Sequence, residues 1–257
     1  MKWQRLFTGI LLLWLFQALP ARAQAEARFE KATEAYNEGD YLKAISYYED
    51  ILAGKQHSAA LYFNLGNAHY KLGHIAPSIY YYEKALLLDP DDPEIRNNLG
   101  FAQNMTLDAI QPLPKTDLRR LYDRLVYFVG LDTWAYLGVL FMFLFVSGFI
   151  LFSSWRRPNQ KRVALIGALA ALFLSLGCTA LAYLQYASYQ ADQPAIVFDE
   201  EVVARSEPNQ QSQEAFRLHE GTKVQLLDSL DSWQKIALAD GQTGWLPRNS
   251  LKPLKDF

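Results

Sequence analysis

Cysteine is all but absent. The chain of 257 residues has one, Cys178. No disulfide can close within it, and redox exchange would lack a resolving thiol. Charge of one sign is also missing: the formal net charge is −2. No large basic face stands out beyond short flanks, which argues against nucleic acid as a partner. Catalytic signatures are missing as well. There is no G-x-x-x-x-G-K-[ST] phosphate loop, no G-x-S-x-G elbow and no H-E-x-x-H pair. The four histidines, His57, His69, His74 and His219, are scattered. His69 and His74 lie off the i, i+4 spacing of two metal ligands on one helix face, with a turn residue between them. These gaps leave no catalytic, metal or cofactor site to predict, and the chain reads as non-enzymatic.

Apolar sequence is plentiful but unevenly spread, which argues against one globular core. Residues 1–23 read as a secretory signal. Lys2 and Arg5 supply the positive start, Leu6 to Leu19 is a short apolar run, and Ala21-Arg22-Ala23 is an A-x-A cleavage pattern. The alternative is an uncleaved anchor, although the run is shorter than the roughly 20 residues a spanning helix needs.

A repeat of 34 residues follows. Gly39 and Gly73 are one period apart, as are Phe29 and Phe63, and Tyr48 and Tyr82; Ala32, Gly66 and Gly100 mark two steps. Small residues and aromatics in this register are the tetratricopeptide signature, a stack of helix–turn–helix units. The region 24–110 holds two units and a third helix, expected from Glu94 to about Ile110. Its first unit is the weaker, because Ala32 stands where the motif has glycine. By the geometry of that family, first helices line a concave face, here Phe29, Thr33, Tyr36, Phe63, Asn67, Tyr70 and Lys71. Asn67 stands where such repeats often hold a peptide backbone. The basic clamp of chaperone-binding relatives is missing, since Phe29, Phe63 and Asn97 replace its lysine. Acidic side chains outnumber basic ones between Gln24 and Ile110. That favours an apolar, mildly basic partner over an acidic tail.

Residues 111–133 form a linker and an interfacial helix. Asp117 to Val129 sets Arg119, Arg120 and Arg124 on one side and Leu121, Leu125 and Phe128 on the other. Residues 134–186 then carry two apolar runs, Trp134 to Ser154 and Val163 to Tyr186, each long enough to span a membrane. Between them, in the loop 155–162, Arg156, Arg157 and Lys161 precede Arg162 with no acidic residue, which predicts a cytoplasmic loop. Both flanking domains then lie outside. Gly167, Ala171, Ser175 and Thr179 form a small-residue stripe, read as packing within the hairpin or between copies. No charge interrupts either run, which disfavours transport by this chain alone.

Residues 193–257 turn β-like. Ala204-Arg205-Ser206-Glu207-Pro208, Gly221-Thr222-Lys223-Val224, Trp233, Asp240-Gly241 and Gly244-Trp245 succeed one another in the order of a bacterial SH3 domain, which this segment resembles. The resemblance implies a small five-stranded barrel. Family members bind peptides or peptidoglycan or serve as structural additions. Trp233 and Trp245 either line a groove or fill the core. The expected fold class is thus multidomain α + β: a tetratricopeptide array, a two-helix transmembrane hairpin and an all-β SH3-like barrel.

In domain order, and in the run Asn64-Leu65-Gly66-Asn67-Ala68-His69-Tyr70 to Pro90, the chain resembles the repeat-containing branch of the Bacteroides aerotolerance (Bat) group. The resemblance implies a scaffold of the inner membrane with both soluble domains in the periplasm. Its implied partners are membrane proteins with von Willebrand factor A-type domains and a MoxR-type ATPase, and its implied role is oxygen or envelope-stress tolerance. The rival reading is a cell-wall adaptor that binds peptidoglycan or peptide through the barrel.

Overall fold

A computed structural model describes residues 24–256. The expected signal sequence lies outside the described residues. The chain divides into two compact units. One joins the segment up to Pro112 with Gln193 onward; the other is Leu113–Asp192.

The first unit opens with helix α1 (residues 24–37), followed by α2 (Tyr41–Ala53), α3 (Ala59–Lys71), α4 (Ile75–Leu88) and α5 (Pro93–Gln103). The starts follow from capping. The side chains of Asp40, Ser58 and Asp92 accept hydrogen bonds from backbone amides of the next turn, satisfying donors that no preceding turn can. The reversals at Gly39 and Gly73 have φ of +84° and +74°, the left-handed region where a side chain is strained. Between the helices, Ala32, Ala35, Ala44, Leu65 and Ala68 are closed to solvent. Gly66 brings α3 and α4 together: a Cβ there would lie 2.6 Å from the Tyr82 ring.

The third helix is shorter than its expected span to Ile110. It ends at Gln103, and Thr106 turns its hydroxyl back onto the Gln103 carbonyl. Chain beyond it is drawn away by the barrel. Asp108 accepts from the His219 amide (2.7 Å) and the Thr222 hydroxyl (2.6 Å) and meets His219 Nδ1 at 2.8 Å. Ile110 packs against the barrel core.

That barrel holds seven strands among the described residues, not five: β1 (Pro194–Val197), β2 (Glu201–Arg205), β3 (Glu214–His219), β4 (Lys223–Leu230), β5 (Trp233–Ala237), β6 (Thr243–Pro247) and β7 (Leu251–Pro253). They run β3-β2-β6-β5-β4-β1-β7 with antiparallel neighbours. Strand β1 escapes period-two reasoning because all four residues are buried; a strand covered on both faces shows no alternation.

Repeats and barrel share one hydrophobic cluster. Ile196 and Leu254 of the barrel pack with Ile79, Tyr80, Tyr82, Ile95 and Leu99 of the helices. Polar bonds frame it. Lys223 bonds Glu83 at 2.6 Å, the Tyr80 hydroxyl donates to Asp256 at 3.0 Å, and Lys84 pairs with the same carboxylate. Phe198 meets the Tyr80 ring edge-on at 5.5 Å.

Asp108 gives this seam a pH dependence. Burial pushes its carboxyl up, but hydrogen bonds from Thr222 and His219 outweigh burial and hold it below its ordinary 3.8. A depressed carboxyl stabilises the fold above its unfolded pKa, and the contribution vanishes as pH falls through the folded value. We expect Asp108→Asn to lower stability by about 1.5–3 kcal/mol near pH 6, the scale of hydrogen bonds to a charged group. The gap from wild type should close as pH drops below the ordinary value. Urea midpoints of the two full chains at several pH values measure this; a constant gap would show that the charge plays no part.

In the second unit, Thr116 caps α6 (Asp117–Val126), which ends before the expected Val129. Helices α7 (Leu131–Ser154) and α8 (Pro158–Ala191) are long and apolar enough to cross a membrane, and both outrun the expected spans. They pack through small residues: Ser175 donates to the Gly138 carbonyl (2.8 Å), and a Cβ on Gly148 would meet Ala168 at 3.1 Å. The contact row is Ala164, Ala168, Ala171, Ser175 and Cys178. Gly167, expected in the stripe, would carry a Cβ into open space. Spacings of four and three average 3.5, the period of two supercoiling helices, so a strict four-residue stripe drifts off the seam.

Candidate partner-binding cleft

Seven first-helix residues were expected on one face, and the structure sorts them. Tyr36, Asn67, Tyr70 and Lys71 line one cleft of about 280 Å³, together with Tyr82, Glu94, Asn98 and Phe101. Phe29 and Thr33 border a separate, more open hollow with Glu30 and Glu34. Phe29 leans edge-on against Tyr48, and the Thr33 hydroxyl lies 3.2 Å from the Tyr48 hydroxyl. Phe63 sits half-buried 5.9 Å from the Tyr82 ring and lines neither hollow.

A carboxamide pair forms the floor of the cleft. Asn67 Oδ1 accepts from the Tyr82 hydroxyl (2.7 Å) and from Asn98 Nδ2 (2.9 Å). Burial pushes the Tyr82 phenol well above its ordinary 10.0, so it remains a donor. With its oxygen so used, the remaining polar group of Asn67 is the donor Nδ2 and that of Asn98 is the acceptor Oδ1. One donor beside one acceptor complements a peptide unit, which presents both. Aromatic walls from Tyr36, Tyr70 and Phe101 suit apolar side chains, and Lys71 and Glu94 add one charge of each sign.

Residues 59–92 match the tetratricopeptide repeat, and residues 201–252 match the bacterial SH3 domain. No curated protein matches the chain. The repeat match covers the second of the two repeats, α3 and α4; the first repeat, α1 and α2, adopts the same helix–turn–helix with its own glycine at positive φ. Both families are non-catalytic interaction domains.

On the SH3 domain, Trp233 and Trp245 share the face turned away from the core. Trp233 pairs with Pro247 and Lys235 with Trp245, while their neighbours Ile236, Gly244 and Leu246 are buried. Neither tryptophan is a core residue; both are half-buried. Lys235 lies 6.0 Å from the Trp245 ring centre, and Arg205 pairs with Trp245 in register.

Sequence reasoning missed Phe101, Asn98 and Glu94. Phe101 is one period beyond Asn67, so carrying the repeat into the third helix would have found it; Asn98 is one period beyond Asn64, which was not among the expected residues. It also set His69 and His74 apart. The turn at Gly73 brings their Nδ1 atoms to 3.1 Å, and burial, helped by His74 and Lys252, lowers His69 to about 4. The pair joins the end of α3 to the start of α4.

Proposed function

We propose that the protein is a membrane-anchored scaffold that holds an extended segment of a partner protein in the cleft between α1, α3 and α5. The observation carrying this is the donor–acceptor pair Asn67 and Asn98, oriented by Tyr82 between aromatic walls. The wider reading follows the resemblance to the Bat group, and to its BatE type in particular. The soluble body then faces the periplasm from the inner membrane, after export by a signal peptide. Its partners are membrane proteins with von Willebrand factor A-type domains, working with a MoxR-type ATPase in envelope-stress or oxygen tolerance. A second reading has one observation in its favour: paired tryptophans with Lys235 and Arg205 on the outward barrel face suit peptidoglycan or peptide.

The test is crosslinking in the native envelope, purification in mild detergent and mass spectrometry of what is recovered. Phe101→Ala with Lys71→Glu alters exposed positions only. We expect at least a tenfold loss of the recovered partner with the fold intact, and no loss on Trp233→Ala. Loss on Trp233→Ala alone, with muropeptides in the wild-type sample, would transfer the binding role to the barrel.

A further inference from the structure

Helix α6 is inside out for water. Leu118, Leu121 and Leu125 recur along one side and are exposed, Leu118 at 79%, and Phe128 just beyond the helix is exposed too. Turned inward are Tyr122, Asp123 and Val126. Such a face suits acyl chains, and it belongs to the same unit as the exposed apolar surface of α7. The helix is also fastened. Gln185 of α8, itself buried, donates to the Val126 carbonyl and to that of Val129 (2.7 Å), and Trp134 Nε1 donates to Val126 at 3.0 Å. Three hydrogen bonds from two side chains thus hold the end of α6 and the turn after it against the two long helices.

Where α6 meets the last turns of α8, a cleft of about 480 Å³ opens, lined by Arg119, Tyr127, Leu131, Ser188, Tyr189 and Asp192, with Gln185 at its base. Its size falls in the range of about 300–1,000 Å³ typical of small-molecule sites. It carries one cation and one anion. An anionic ligand would face Asp192, and a simple cation would face Arg119. Arg119 commits Nε to Asp123 at 3.1 Å, and a guanidinium carries five donors.

We propose that this cleft seats the headgroup of a zwitterionic membrane phospholipid with a primary ammonium. Its phosphate lies against Arg119 and its ammonium against Asp192, with the Ser188 hydroxyl and the Tyr127 and Tyr189 rings completing the walls. Acyl chains run along the apolar side of α6. A primary ammonium donates hydrogen bonds to a carboxylate, which a quaternary one does not, and aromatic rings favour either. The site rests on the reading that α7 and α8 span a membrane.

Native mass spectrometry of the full chain, released from vesicles of equal phosphatidylethanolamine, phosphatidylglycerol and phosphatidylcholine, tests it. Resistance of the same vesicles to alkaline extraction checks insertion separately. We expect insertion and at least fivefold enrichment of bound phosphatidylethanolamine. Arg119→Gln should lower that retention at least fivefold. Asp192→Asn should keep lipid bound but erase the preference over phosphatidylcholine, a change of selectivity that misfolding would not produce. An inserted chain with no headgroup preference, or one whose preference ignores both substitutions, overturns the site. A chain stripped by alkali overturns the membrane reading and the site with it.

Discussion

Replacing Gly221 by valine should lower the stability of the soluble body by about 2–5 kcal/mol and loosen the barrel from the repeats. Two costs add. Gly221 has φ of +84°, where a residue with a Cβ pays about 1–2 kcal/mol. Its Cβ would also come within 3.0 Å of three side chains at once: Ile79 at 2.8 Å, Thr106 at 2.9 Å and Ile75 at 3.0 Å. Overpacking of this kind costs about 1–3 kcal/mol. Gly73 provides the control. It has a similar φ, +74°, but nothing within 4 Å of its Cβ position. Gly73→Val should therefore show the backbone cost alone. Urea unfolding of both variants, with limited proteolysis near Leu107, separates the two effects. Equal losses at both glycines would mean that the seam tolerates the side chain.

Tyr82→Ala should cost about 3–5 kcal/mol, as buried aromatic truncations do. The ring is 1% exposed and lies over Gly66, so its removal leaves a glycine facing a void that no neighbouring Cβ can fill. Tyr82→Phe keeps the ring and removes the hydroxyl that fixes Asn67. Its stability loss should be about 1 kcal/mol, the net value of one hydrogen bond. Partner capture should nevertheless fall several-fold, because Asn67 is then free to turn its amide over. Thermal midpoints and partner recovery, measured on both variants, decide this. Tyr82→Phe that binds like wild type would remove the amide pair from the recognition scheme.

Local chemistry explains what the sequence made legible. The 34-residue register placed the helices of both repeats, and Asp240-Gly241 marked a turn whose glycine takes φ of +90°. Long apolar runs located α7 and α8, though not their ends, because polar residues such as Gln160 and Gln190 continue a helix as readily as apolar ones. The seam between repeats and barrel was not legible. Glu83 and Lys84 look like solvent-facing charges on α4, yet both are buried, one paired with Lys223 and the other with Asp256. Pairing across well over a hundred residues leaves no periodic trace. The same holds for Asp108, an ordinary loop carboxylate until His219 and Thr222 close on it. The cleft was half legible: Tyr36, Asn67, Tyr70 and Lys71 line one hollow, while Phe29 leans on Tyr48 beside another and Phe63 packs against Tyr82.

The second unit, Leu113–Asp192, interrupts the first in the chain, and this sets an order of assembly. Ribosomes finish the repeats before the barrel exists. At about 5–20 residues per second, the strands that cover Ile79 and Tyr80 follow by roughly ten seconds. For that interval the last repeat presents an uncovered apolar side, and a truncated chain presents it indefinitely. Newly made copies therefore carry their own mark of incompleteness, readable by chaperones and proteases until Leu254 arrives.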